Sequence, residues 1–170
     1  MARNIRSIPN ATETVEALFA ALEATGAATW LRMSRWGYAA VNAAHILGLA
    51  ALVGAVIPLD LRLLGAWPQV LRRDVARVLV PVAACGLAVA VTTGAFLFSV
   101  RPQDYAAIAI FQFKMVFVVL GTFAAILAHV RHGTLLDRGE GRYLQAHAAF
   151  SLFCWLSTLI CGRMIAFAAG

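Results

Sequence analysis

The chain has 170 residues, 62% of them hydrophobic and only 13% charged, with a mean hydropathy of +0.81 and a net charge of +6. Soluble domains carry about 45–50% apolar and about 25% charged residues, so a water-soluble globular enzyme, a disordered chain and a disulfide scaffold are all set aside. The positive balance does not indicate nucleic acid, because all but one of the basic residues are Arg and most lie between long apolar runs.

Residues 11–30 come first. Val15, Leu18, Phe19 and Leu22 recur at helical spacing, with Glu13, Glu16 and Glu23 between them. This pattern predicts an amphipathic helix lying on the outer membrane surface or capping a bundle, with a partly ordered tail as the alternative. Gly26 is expected to end it, and Trp30 and Trp36 suit an interfacial belt. Four apolar runs follow: 36–59, closed by Pro58 and Asp60; 75–100, stopped at Arg101-Pro102; 105–130; and 143–169. At about 1.5 Å per residue each can cross a hydrocarbon core of about 30 Å. The first run begins too late for a cleaved signal peptide and is expected to stay as an anchor. Lipid admits only helices or closed barrels, and runs this continuous favour helices. The expected fold is all-α: one domain over 1–170, an integral membrane four-helix bundle preceded by an N-terminal amphipathic interfacial helix.

Arginine placement sets the orientation. Arg62, Arg72, Arg73 and Arg77 follow the first run, and Arg131, Arg138 and Arg142 follow the third. Arg32, Arg35 and Arg101 adjoin the membrane on the other side, with Arg3 and Arg6 further out. The positive-inside rule then puts both termini on the outer (periplasmic) side of a bacterial inner membrane.

Polar groups inside such runs are costly unless paired or solvated, so they are the candidate site. His45 lies about 13 Å deep in the first run, with Asn42 and Tyr38 on the same helix face. It is either a core histidine or a metal, haem or proton-handling group. Lys114, the only lysine, is expected about 13 Å deep in the third run. It either snorkels or holds an anionic group such as a haem propionate. Arg163 is about 10 Å deep in the fourth run, but its sixteen-residue offset from His147 puts the two on nearly opposite faces. His129 and His147, near the inner ends of the third and fourth runs, are candidate metal ligands from facing helices, or plain interfacial residues. His132 reads as a solvated loop residue. Two polar and small-residue stripes, Cys85/Thr92/Ser99 and His147/Ser151/Cys154/Thr158/Cys161, read as helix packing. No acidic residue is expected deep in a helix, and no Cys-x-x-Cys, phosphate loop or Ser-His-Asp pattern occurs.

The stretches WLRMSRWGYAAVNAAHILGLAALVG (30–54), DLRLLG (60–65), FQFKMVFVVLG (111–121) and SLFCWLSTLICGRMIAF (151–167) resemble a family of small bacterial four-helix membrane proteins with no assigned activity. A more distant similarity is to copper-resistance D proteins and to membrane-bound haem-dependent protoporphyrinogen oxidases. In the oxidases a histidine of the first helix and a lysine of the third accompany haem. His45 and Lys114 occupy comparable places, so the resemblance implies a porphyrin-type or metal site. Four-helix cytochromes b are a third analogy, from which this chain departs by having no histidine in its second run.

The leading expectation is a haem-b protein of the membrane in quinone-linked electron transfer. Its cofactor would sit in the outer half, with His45 as axial ligand and Lys114, Arg163 and Arg101 neutralising propionates beside Asn42. A second haem between His129 and His147 is a weaker form of the same idea. Copper handling through His45, Met33, Met115, Met164 and Cys154/Cys161 is the alternative. A porphyrinogen oxidase and a non-catalytic membrane subunit complete the set. Expected partners are the lipid bilayer, a quinone, an outer-side redox protein, and further copies or subunits; nucleic acid is not among them.

Overall fold

The computed structural model describes residues 10–133, 135–136 and 141–168. Two short helices, α1 (Ala11–Glu23) and α2 (Gly26–Met33), lead into α3 (Arg35–Leu64) and α4 (Arg72–Val100). A six-residue α5 (Pro102–Ala107) joins these to α6 (Ala109–His132) and α7 (Arg142–Ala168). Four of these helices, α3, α4, α6 and α7, are long and apolar enough to cross a membrane. Of the arginines that set the orientation, Arg3, Arg6 and Arg138 lie outside the described residues, as does Ala169 at the end of the fourth run.

The helix expected over 11–30 is in fact two. A capping box opens α1: the Asn10 side chain accepts from the Glu13 N–H, and the Glu13 carboxylate accepts from the Asn10 N–H, both at 3.0 Å. The helix stops at Glu23, and Thr25 starts α2 by accepting the Ala28 N–H at 3.3 Å. Gly26 therefore begins a helix where a stop was expected, because a threonine N-cap ahead of it outweighs glycine's poor propensity. Only Phe19 of the α1 apolar set is partly buried, set edge-on against Phe98 at 5.9 Å; Val15, Leu18 and Leu22 stay exposed.

Pro58 does not end α3. A helical proline loses one N–H bond and crowds the carbonyl four residues back. That residue is Gly54, and the packing of the segment beyond outweighs the loss. The helix runs on through Asp60 to Leu64, burying Leu59 and Leu63. Its true stop is Gly65, in the left-handed region at φ +112°, where the Gly65 N–H bonds the Arg62 carbonyl and the Ala66 N–H bonds the Leu61 carbonyl. Arg62 then ties down the turn, donating to the Val70 carbonyl at 2.6 Å and to the Pro68 carbonyl at 3.3 Å. Replacing Gly65 with alanine would force an L side chain into this region and is expected to cost about 1–2 kcal/mol. Detergent-resolved thermal unfolding would show it as a lowered midpoint.

The third apolar run begins its long helix at Ala109, not Tyr105, because Ile108 turns extended (ψ 114°) and separates α5 from α6. The Gln112 side chain stabilises the break by donating to the Ala106 carbonyl at 2.8 Å. Aromatic contacts join the elements at this end: Phe98 stacks on Phe111 at 5.5 Å, and Tyr105 leans on Phe111. The opposite end is closed by an apolar cluster of Leu59, Leu63, Ala76, Leu136, Leu144 and Ala148.

The long helices pack in the spatial order α4–α3–α7–α6. The α3–α4 contact is backbone on backbone at Gly48 and Gly86. A Cβ on Gly86 would lie 2.5 Å from the Leu52 nitrogen, and one on Gly48 would lie 2.8 Å from the Ala90 nitrogen. Small residues permit such approach between helices in lipid. Gly121 does the same for α6 and α7, where Cys154 and Trp155 lie against it. Although α4 and α6 follow one another in the chain, no Cα pair between them comes within 8 Å among the described residues. The four long helices thus form an open bundle, with a cleft where α4 and α6 diverge.

Candidate functional site

Two polar regions sit at different levels. The first surrounds His45. Its ring lies against α4, so close to Gly94 that a Cβ there would be 3.1 Å from the imidazole Cε1. Nδ1 is 2.9 Å from the Ala90 carbonyl oxygen and 3.1 Å from the Thr93 hydroxyl. A carbonyl only accepts, so Nδ1 carries the proton and donates. The Thr93 hydroxyl spends its own proton on the Val89 carbonyl at 2.6 Å, which leaves its oxygen free to accept from the same Nδ1–H. Nε2 is thereby left with its lone pair and no protein partner among the described residues.

Lys114 belongs to this region. With α6 starting at Ala109, it is five residues into the helix, about 8 Å along its axis. Its side chain crosses toward α7, with Cε and Nζ both 3.7 Å from the Cβ position of Gly162. The absence of a side chain at Gly162 makes that room. The ammonium charge acts on both the His45 ring and the Cys161 thiol. No carboxylate among the described residues pairs with it.

The other residues expected here are elsewhere. Asn42 is exposed, one turn away from the ring it was expected to accompany. Arg163 is also exposed and lies over the Phe167 ring at 5.2 Å, on an outward face of α7, as its offset from His147 implied. Arg101 is exposed between α4 and α5, where its charge acts on Tyr105. Tyr105 is hydrogen-bonded to Tyr38, and burial, followed by that bond, pushes its phenol up from the ordinary value. Of the expected propionate partners, only Lys114 stands with His45.

The second region is a cavity of about 230 Å³ lined by α3, α4, α6 and α7. Its walls are apolar, from residues such as Val56, Val80 and Leu87. Its polar lining is Asp60, His129, His147, Ser151 and Trp155, with Thr122 at the margin. His129 and His147, expected to face one another, share this cavity. His132 is not in the loop but ends α6, with its ring edge-on to that of His147 at 6.3 Å. At the end closed by the apolar cluster, Leu136 holds a left-handed backbone (φ +53°) and is buried.

Asp60 is the residue that sequence reasoning missed. Taken as a helix stop, it is instead an interior residue of α3, 5% exposed. The Ser151 hydroxyl donates to its carboxylate, but Oδ2 has no partner among the described residues. Nδ1 of His129 and Nε1 of Trp155 are likewise buried without partners among those residues, in the same cavity. Buried polar atoms normally find hydrogen bonds, so three orphans around one space mark it as built for polar contact. The sequence did contain a signal: Asp60 and Arg62 flank Leu61 just ahead of Gly65, a glycine stop that places both residues inside the helix.

The small-residue stripes divide. Cys154, Thr158 and Ser99 are buried, as packing requires, whereas Cys85 and Thr92 are exposed on α4. Met33, Met115 and Met164 are all exposed. Among the described residues, no group of three or more His, Cys, Asp or Glu side chains gathers as a metal site. His45 lies against α4, outside the cavity that His129 and His147 line. No family model, curated protein or solved structure matches the chain.

Proposed function

We propose that this chain is a multi-pass protein of a bacterial inner membrane that holds haem b at His45 and works in quinone-linked electron transfer. The observation carrying the reading is the hydrogen bonding of His45. Metal-ligating histidines almost always donate their other ring N–H to a carbonyl, carboxylate or water, which fixes the tautomer and aims the lone pair. His45 is held this way by Ala90 and Thr93. Lys114 supplies an unpaired cation beside it, suited to a carboxylate of the cofactor. Haem would contribute a one-electron carrier; the chain contributes ring orientation through Ala90, Thr93 and Gly94, and charge through Lys114. Copper fits less well, because a fixed ammonium next to the ring opposes a bare cation.

Membrane insertion is supported by the long rows of exposed Phe, Leu, Ile and Val on all four long helices, which water would not tolerate. The exposed Val15, Leu18 and Leu22 of α1 suit burial in the headgroup boundary, with Phe19 as the link to the bundle. Arg62, Arg72, Arg73, Arg77, Arg131 and Arg142 gather at one end, which the positive-inside rule assigns to the cytoplasm, leaving both termini outside.

Full-length protein from haem-replete cells is expected to show Soret and α bands after dithionite reduction, with one haem per chain by pyridine haemochrome. His45→Ala is expected to abolish them. Lys114→Met is expected to keep the band positions but weaken haem retention about tenfold, the worth of one charge-assisted hydrogen bond. A wild-type preparation without bands, or a His45→Ala variant with full haem content, would overturn the reading.

A further inference from the structure

We infer that the cavity at the arginine-rich end is a binding site for the ring of a benzoquinone-type lipid, entered sideways from the bilayer between α4 and α6. This deepens the proposed function by assigning a place to its quinone, and it stands on different atoms from the haem reading.

Three features select the occupant. The volume, about 230 Å³, falls below the roughly 300–1,000 Å³ of sites for drug-sized ligands. A single substituted ring suits it, and a porphyrin does not. The polar atoms are mixed in kind. Trp155 Nε1–H can only donate, the Asp60 carboxylate accepts when ionised, and His129 Nδ1 can do either. A ring with two opposed oxygens matches that set, since they accept as carbonyls and donate as hydroxyls. Asp60 and Trp155 are 5% and 3% exposed, so these atoms are not served by bulk solvent. The entrance follows from the helix arrangement: α4 and α6 both line the cavity, no Cα pair between them comes within 8 Å among the described residues, and their Phe98–Phe111 ring contact lies outside the cavity lining, so a prenyl or alkyl tail can trail into lipid between them.

Other occupants fit less well. An acyl chain would leave all three polar atoms unpaired. An anionic headgroup would meet the Asp60 carboxylate. Water alone could pair with the polar atoms but would leave the alkyl walls, the larger part of the lining, against solvent.

The test uses full-length protein in phosphatidylcholine nanodiscs, titrated with decyl-p-benzoquinone, with decylbenzene as a tail-only probe. Binding is read by quenching of indole fluorescence and by the rise in unfolding temperature. Saturable binding of the quinone and none of decylbenzene is expected. Asp60→Asn is expected to weaken it about tenfold, as loss of a matched buried hydrogen bond does. Ala125→Phe, which fills the cavity from α6, is expected to abolish it. Should that variant not fold, Ala84→Phe obstructs the same space from an exposed position on α4. Non-saturable quenching that is equal in wild type and variants, meaning partition into lipid only, would overturn the site. So would equal binding of decylbenzene. Quinone binding by a haem-free preparation would retain the site while removing the haem reading, and haem bands without saturable quinone binding would do the reverse.

Discussion

Gly86→Leu is expected to separate α3 from α4 and to lower the free energy of unfolding by about 3 kcal/mol or more, at the upper end of overpacking effects. The reason lies in what the new side chain would meet. A Cβ at Gly86 stands 2.5 Å from the Leu52 nitrogen, 2.8 Å from the Gly48 carbonyl oxygen and 3.0 Å from the Leu52 Cα, all of them backbone. A flexible side chain could rotate away, but helix backbone cannot, so the axes must move apart. That movement would also pull Ala90, one turn further along α4, away from His45 Nδ1. The variant is therefore expected to lose haem as well as stability. Gly54→Leu is the matching control, since nothing but its own helix lies within 4 Å of that position. Unfolding by dodecyl sulfate titration in mixed micelles measures both. A Gly86→Leu protein as stable as the Gly54→Leu control would refute the backbone contact.

Trp155→Ala is expected to cost about 3–5 kcal/mol, the range for removing a large buried aromatic. The indole joins three helices. It packs with Leu52 and Val56 of α3, and its Cε2 lies 3.1 Å from the Cβ position of Gly121 on α6. Its loss leaves a void continuous with the cavity it already lines. Trp155→Phe separates packing from hydrogen bonding, because it keeps most of the volume and removes the N–H. That variant is expected to stay within about 1.5 kcal/mol of wild type while binding the benzoquinone less tightly. The same dodecyl sulfate titration, run beside the quinone-induced rise in unfolding temperature, distinguishes the two roles. Equal stability of Trp155→Ala and wild type would mean that the indole does not hold the α3–α7 contact.

The apolar runs made the four long helices legible, because a row of some twenty side chains without charge admits few other forms. The ends of those helices were less legible, and for local reasons. Pro58 has the look of a stop, but the helix continues past it to Leu64 and buries Leu59 and Leu63, a packing gain that the local pattern does not show. A start at Tyr105 fails because a glutamine side chain seven residues on stabilises a break that no propensity signals. The misplaced end of α3 had the larger consequence, since it moved Asp60 out of the membrane interior and hid the carboxylate of the cavity. His45 and Lys114 stood out as lone polar groups at equal offsets in two apolar runs, and the Lys114 charge acts on the His45 ring. The outward turn of Arg163 was already contained in the helical angle between it and His147. What no local pattern carries is which helix lies beside which. The α3–α7 pairing joins residues about a hundred positions apart, and the cleft between α4 and α6 is a property of that pairing.

The order α4–α3–α7–α6 divides the long helices into a pair of hairpins that meet along one seam. The α3–α4 hairpin has all its tight glycine contacts before α6 is synthesised, and the α6–α7 hairpin carries its own at Gly121. The seam faces are Leu52 and Val56 on one side and Trp155 on the other, so each needs the other hairpin to be covered. Asp60 likewise has its Ser151 partner only across this seam. The cavity therefore belongs to neither hairpin alone: Asp60 comes from one, and His129, Ser151 and Trp155 from the other.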